Sequence, residues 1–383
     1  MTDLSAAARG LRDVVAGACR GLVEREALVE LIVLSAVAGE HLLVVGPPGT
    51  AKSEAVRRVA GGLGLRYFEY LLGRFTEPSE IFGPVDLRKL REGLVETETA
   101  GMLPEAEVAF LDEVFLGSTA VLNTLLAVLN ERVFRRGHTV RRCPLRVCVA
   151  ASNALPEDPS LAAFADRFLV RSFVEPVPDA RLEELLEGGL KVAAPPPPLT
   201  PADGAGAAAW LDVLAGAARE VDLAPVTSTY AHALRRLRQA GLWLSDRRVV
   251  KAQRLIAAAA ALGGRRQASA ADLWPVLFVV PTAEGQALAR DALRELLASA
   301  ENEALRAAAE EASQGPLARA ARIGRDIDAL LGAAPTSAEA LGAWRLKLEG
   351  VAREIDAGFA PGSLPPALAE ARVRLVLALK GAT

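Results

Sequence analysis

The sequence has few of the residues that cross-link or metallate a fold. Its three cysteines, Cys19, Cys143 and Cys148, include no CxxC pair, which excludes a disulfide framework and a zinc knuckle and makes them small buried hydrophobes. His41, His138 and His232 are scattered with no ligand spacing, so no metal centre built on imidazole is expected. No apolar run reaches the roughly 18 residues of a membrane-spanning helix. Residues Met1 to Gly10 lack the basic start and apolar stretch of a secretory signal. A cytoplasmic protein with no membrane span is expected. Neither sign of charge dominates: 44 Lys and Arg stand against 47 Asp and Glu, a net charge of −3, which argues against a protein built to coat nucleic acid. What is abundant is aliphatic: 51% of the 383 residues are apolar while aromatics make up 5%, a globular composition long enough for roughly two or three domains.

Leu22, Val23, Leu28, Leu31, Ile32 and Leu34 recur at helical spacing, with Glu24, Arg25, Glu26 and Glu30 between them, and predict helix in the first 40 residues. The pattern then shortens. His41 to Val45 is an apolar run ending in Gly-Pro-Pro-Gly, a buried parallel strand entering a tight loop that opens a helix near Lys52. Further strands are predicted at Leu65–Leu72, Glu107–Asp112, Leu145–Ala151 and Leu169–Val174. Between them lie a Gly/Pro-rich loop over 73–84, a weakly alternating hairpin over Gly93–Met102, a helix over Thr119–Glu131 and a basic hairpin over Arg132–Arg142. Strands alternating with helices over 40–175 imply a parallel sheet sandwiched by helices. Ala193–Gly206, with four consecutive prolines, reads as a stiff extended linker. Everything after it reads as helix: 207–221, 228–240, 245–262 and 269–278, after which Gly285–Ala312 and Leu317 to the C-terminus together give about three long helices, with Trp344 and Leu346 among the packing residues. The division expected is 1–192 for an α/β core, 193–206 for the linker, 207–284 for a first helical domain and 285–383 for a C-terminal helical bundle.

Three segments carry chemistry. Gly46-Pro47-Pro48-Gly49-Thr50-Ala51-Lys52-Ser53, set between strand and helix, supplies what a phosphate chain needs: converging backbone N–H groups, a helix N-terminus, a lysine for the β- and γ-phosphates and a hydroxyl for Mg²⁺. Ala51 replaces the usual glycine in a conformation alanine tolerates, with no donor lost. The strand Val108–Asp112 runs into Glu113, so Asp112 would hold the Mg²⁺ shell through water and Glu113 would polarise the attacking water. Asn153, just past the fourth strand, would reach the γ-phosphate and that water.

With these residues assembled, the chain resembles AAA+ ATPases of the MoxR family, in particular its RavA-like branch. The resemblance rests on GPPGTAKS at 46–53, RFTEPSEIFGP at 74–84, GMLPEAEVAFLDEV at 101–114, LNTLLAVLNERVFRRG at 122–137, VAASNALP at 149–156, ADRFLVR at 165–171 and LSDRRVVKAQRLI at 244–256, and is nearly continuous from Val23 to Ile256. It implies an AAA+ P-loop core followed by an all-α lid and a C-terminal helical region, ATP and Mg²⁺ as cofactors, and a hexameric ring with nucleotide between neighbours. It also implies a protein client, a partner carrying a von Willebrand factor A domain, and inserts around 91–103 and the basic hairpin that face a central pore. By the same resemblance Lys52 and Ser53 are the phosphate lysine and metal hydroxyl, Asp112 and Glu113 the metal-shell and water-activating acids, and Asn153 the sensor asparagine. Arg167 matches the arginine finger of the next subunit's site, and Arg247, or adjacent Arg248, the second sensor in the lid.

Simple chemistry favours the finger, because charge spreads over the γ-oxygens during phosphoryl transfer and a guanidinium from another subunit makes hydrolysis conditional on assembly. The alternative for Arg167 is an ion pair with Asp166. Ser245 and Asp246 form an N-cap that would start a lid helix facing the nucleotide at Arg247. Two other functions remain open: a nucleic-acid-stimulated motor or loader using the basic hairpin, and a nucleotide-switched scaffold with little turnover.

Overall fold

The computed structural model describes residues 4–192, 201–314, 316–333, 335, 338–358 and 364–381. Five parallel strands form its centre: β1 (Leu42–Val45), β2 (Tyr67–Leu71), β3 (Val108–Asp112), β6 (Val147–Ser152) and β7 (Val170–Phe173), in the order β2-β3-β6-β1-β7. Leu42 lies beside Val149 on one side and Val170 on the other, so β1 is an interior strand and its loop opens between β6 and β7. Both faces of β1 are covered, which is why His41–Val45 reads as an unbroken apolar run. Leu42 and Val44 enter one core with Val108, Phe110, Val147 and Val149, while Leu43 and Val45 enter a second with Ala109, Leu111, Cys148 and Ala150.

The first core is closed by α1 (Leu4–Cys19), α2 (Glu26–Ala38), α3 (Lys52–Gly62), α9 (Pro201–Glu220) and α11 (Asp246–Leu262), and it runs on through Trp274 and Phe278 to α14 (Arg306–Gln314). The second is closed by α4 (Pro78–Phe82), α6 (Thr119–Glu131), Phe164 of α7 (Pro159–Ala165) and Phe168 just after it. The helical parts beyond β7 also comprise α8 (Leu182–Val192), α10 (Ala224–Gln239), α12 (Ala283–Ala292) and α13 (Arg294–Leu297). Helices α15 (Pro316–Gly332), α16 (Ala338–Gly358) and α17 (Pro366–Gly381) share a separate core of Ile323, Ile327, Leu348, Val351, Ile355 and Leu375.

Four expectations change. Gly93–Met102 is not a hairpin. The chain turns after α5 (Leu87–Arg91), and residues 96–98 pair with 84–86 instead, through Asp86 N to Glu96 O and Glu98 N to Pro84 O. The expected linker overlaps α9, because Pro201 sits at the first helical position, where its missing N–H costs nothing; residues 193–200 lie outside the described residues. The segment 269–278 forms two 3₁₀ turns, Ala270–Asp272 and Trp274–Val279, with Pro275 inside the second. Trp344 packs and donates from Nε1 to Leu330 O at 2.7 Å, but Leu346 is exposed. The basic hairpin forms as β4 (Val133–Arg136) and β5 (Thr139–Arg142).

Candidate nucleotide site at the carboxyl edge of the sheet

The loop 46–53 leaves β1 at the carboxyl edge, tied to β6 by Gly46 N donating to Ser152 O at 3.1 Å. A Cβ on Gly46 would lie 2.2 Å from Val174 O, a backbone atom that cannot swing aside. Gly46→Ala is therefore expected to destabilise the fold by about 1–3 kcal/mol through overpacking and to weaken ATP binding, read by thermal melting and by titration with a fluorescent ATP analogue. Gly49 has φ +77° and Ala51 φ +58°. For a residue with a Cβ such a left-handed conformation costs about 1–2 kcal/mol, so Ala51 is strained where the usual glycine is free. Thr50 Oγ1 donates to Pro47 O at 2.9 Å, and Lys52 Nζ donates to Gly46 O at 2.8 Å and Pro47 O at 3.0 Å, which closes the loop on itself. Burial draws the Lys52 ammonium down from its ordinary value, and the Asp112 and Glu113 carboxylates oppose that shift, so both acids lie within reach of its charge.

Strand β3 ends at Asp112, whose Oδ1 accepts from Glu113 N at 3.0 Å. Glu113 then takes φ +48°, which breaks the alternation that would send neighbouring side chains to opposite faces. Its carboxylate turns toward the end of β6, where Asn153 Nδ2 donates to Glu113 Oε1 at 2.6 Å. The phosphate loop, Asp112, Glu113 and Asn153 thus share one edge. A cradle that admits only glycine at its first position, with a lysine and two hard oxygen donors (Ser53 and Asp112), fits a Mg²⁺-bound triphosphate.

A residue that the sequence shows only as a charge on the first helical pattern braces this loop. Arg25, at the start of α2 and only 4% exposed, donates from Nε to Thr50 O at 2.8 Å and from Nη2 to Glu175 O at 2.7 Å. In sequence it is one charge in a Glu-Arg-Glu triplet, with no signal that its acceptors lie in the loop and beyond β7.

Arg167 and Arg247 occupy the opposite edge. Arg167 precedes β7 beside Phe168, whose ring lies 6.2 Å from that of His41 at the start of β1. Helix α11 crosses this amino edge, where Glu40, fully buried, accepts from Lys251 at 2.6 Å and Arg254 at 3.0 Å. Arg247 donates to Asn130 Oδ1 at 2.6 Å, at the end of α6, where neighbouring Leu129 O meets His41 Nε2 at 3.0 Å. Glu40 to Gly46 spans roughly 20 Å at the rise of a strand. Arg247 therefore does not face the nucleotide loop of its own subunit. The Asp166–Arg167 pair does not form either, because Asp166 is bound by Arg248 at 2.9 Å. Arg248 spends four hydrogen bonds on structural acceptors, whereas the side chain of Arg247 donates to Asn130.

The arginines of the β4–β5 hairpin are mostly engaged. Arg135 pairs with Glu131, Arg141 with Glu105 at 2.9 Å, Arg136 donates to Gly83 O at 3.2 Å, and Arg132 turns inward to Gly39 O at 2.7 Å. His138 N donates to Val95 O at 2.8 Å, so hairpin and 92–99 loop form one projection whose exposed residues include Leu94, Val95 and Val140, with Leu87 and Leu90 of α5 exposed just before it.

A five-stranded parallel sheet with a phosphate loop at the exit of β1, acids at the end of β3 and an asparagine after β6 defines a P-loop ATPase of the AAA+ class. Family comparison is more specific. Residues 9–200 match the MoxR domain of MoxR-vWA-beta-propeller ternary systems, and residues 229–286 match an AAA lid domain. The chain belongs to the MoxR family of AAA+ ATPases. Two uncharacterised proteins of Methanocaldococcus jannaschii are 36% and 34% identical over 252 residues, which cover 66% of this chain and 64% and 66% of theirs. The chain thus spans slightly under two thirds of those relatives. A structural protein of Acidianus two-tailed virus is 37% identical over 153 residues, 38% of this chain and 25% of its own. The crystal structure of a Cytophaga hutchinsonii protein provisionally described as an ATPase superposes with a TM-score of 0.60 at 16% identity, covering 78% of this chain and 96% of that one, a likeness of fold. Among the described residues no helix is long and apolar enough to cross a membrane.

Proposed function

We propose that this chain is an ATP-hydrolysing MoxR-type machine of the RavA-like branch, assembled head to tail into a six-membered ring, that remodels or assembles protein complexes together with a partner carrying a von Willebrand factor A domain. One observation carries the proposal. The loop, Asp112, Glu113 and Asn153 lie at one edge of the sheet while Arg167 and Arg247 lie at the other, so a complete site needs two copies. A heterologous contact that joins one edge to the other gives a ring where its rotation closes and an open helical filament where it does not.

Within that site the loop amides and Lys52 would hold the triphosphate. Glu113, oriented by Asn153, would accept the proton of the attacking water as it adds to the γ-phosphorus. Arg167 of the next copy would stabilise the charge that develops on the γ-oxygens, with Arg247 beside it. Mg²⁺, held by Ser53 and Asp112, would supply neutralisation of the phosphate oxygens. The engaged arginines of the projecting hairpin and the exposed Leu94, Val95 and Val140 beside them favour a protein client over nucleic acid. The description of the matching domain supports the von Willebrand factor A partner.

Mg²⁺-dependent phosphate release by the purified chain tests this reading. Lys52→Ala is expected to bind ATP at least tenfold more weakly, a loss of about 1.4 kcal/mol or more, measured by titration with a fluorescent analogue. Unchanged affinity in that variant places the nucleotide elsewhere.

A further inference from the structure

Arg248 is 3% exposed in the first turn of α11, where Ser245 Oγ accepts its backbone N–H. Its guanidinium makes four hydrogen bonds: Nε to Val279 O at 3.0 Å, Nη1 to Asp166 Oδ1 at 2.9 Å and to Phe168 O at 3.4 Å, and Nη2 to Leu169 O at 2.7 Å. Asp166 precedes Arg167, and Phe168 and Leu169 follow it. A single side chain from the helical region therefore grips the core segment on both sides of Arg167, and Val279 O anchors the same guanidinium to the 3₁₀ turn packed on α11. Arg167 N donates to Phe164 O at 3.0 Å, while its buried Nε meets no hydrogen-bond acceptor among the described residues. Nearby Arg171, also buried, donates to Ala165 O, and Gln286 from α12 reaches Arg171 O at 3.2 Å. Residues 166–169 are thus gripped from the helical side, ahead of the sheet pairing with β1 that begins at Val170.

We propose that Arg248 is the positioning residue for Arg167: it ties the segment bearing that arginine to α11, so the seat of the helical region sets how far Arg167 reaches toward the adjoining copy. This rests on reading Arg167 as a group that acts on the next subunit's site. Arg248 needs no contact with nucleotide, and its planar fork, which serves a carboxylate and three carbonyls together, is a geometry lysine cannot reproduce.

Subunit mixing tests the inference. Arg248→Met alone is expected to lower kcat by about 100-fold, as for a reacting group displaced by about 1 Å, with ATP affinity unchanged because its own loop is intact. Mixed with Lys52→Ala, it should recover activity above the sum of the two separate preparations, since the Lys52→Ala copy offers a well-held Arg167 to the intact loop of its neighbour. Arg167→Ala mixed with Lys52→Ala is the reference pair. Recovery in the reference pair without recovery for Arg248→Met overturns the role of Arg248 and leaves that of Arg167 standing; recovery in neither removes both. Should Arg248→Met fail to fold, Arg248→Lys and Asp166→Asn replace it, with the same pattern expected at smaller size. Wild-type kcat in both milder variants overturns the proposal.

Discussion

Arg167→Ala is expected to lose about 10³-fold or more in ATP turnover while binding ATP as tightly as the unaltered chain. The split follows from placement. Arg167 stands before β7 at the amino edge, and the loop proposed to bind phosphate leaves β1 at the other edge, with the length of β1 between them. A guanidinium there makes no contact with the triphosphate in its own subunit, so its removal leaves that affinity intact. Its effect lies in the transition state, where charge on the γ-oxygens is greatest and a positioned cation is most valuable. Turnover per chain of the unaltered protein should also rise with protein concentration as copies assemble, and turnover of Arg167→Ala should stay flat. Phosphate release measured across a dilution series reads both. An Arg167→Ala enzyme with unaltered kcat, or an unaltered chain equally active at every dilution, contradicts a shared site.

The parts of this site that sequence makes legible are those built from local chemistry. Gly46 to Ser53 announces itself because a strand covered on both faces must be continuously apolar and the turn that follows must be rich in glycine and proline. Asp112, Glu113 and Asn153 follow because parallel strands end at a common edge. Other elements are hidden for physical reasons. Pro201 reads as linker because proline suits both an extended chain and the first turn of a helix. The supposed hairpin at 93–102 alternates, yet Leu94 and Val95 are both left at a projecting rim, so no buried face enforces the register. Arg25 and Arg248 look like solvated helix starts; their burial depends on carbonyls far along the chain, Glu175 for the first and Leu169 for the second. The direction of Arg247 could not be read either. A capped helix start shows where the helix begins, whereas the edge of the sheet it crosses is decided by the packing of α11 on α2 and α9.

Glu113→Gln should cut hydrolysis by about 10² to 10⁴-fold and leave both nucleotide binding and assembly in place. The amide is nearly isosteric, and its oxygen can still accept from Asn153 Nδ2, which meets Glu113 Oε1 at 2.6 Å, so the local geometry should survive. What disappears is the carboxylate's capacity to take a proton from water. The left-handed turn at Glu113, φ +48°, is a property of the backbone and is unaffected by the exchange, which keeps this variant distinct from one that merely unfolds the end of β3. Asn153→Ala provides the complementary test: it keeps the base but releases it, and should lower kcat less than Glu113→Gln does. Single-turnover phosphate release with prebound ATP separates the chemical step from binding and product loss. Full-rate cleavage by Glu113→Gln in that assay would assign the proton to another group and leave the Glu113–Asn153 contact as a structural tie between β3 and β6.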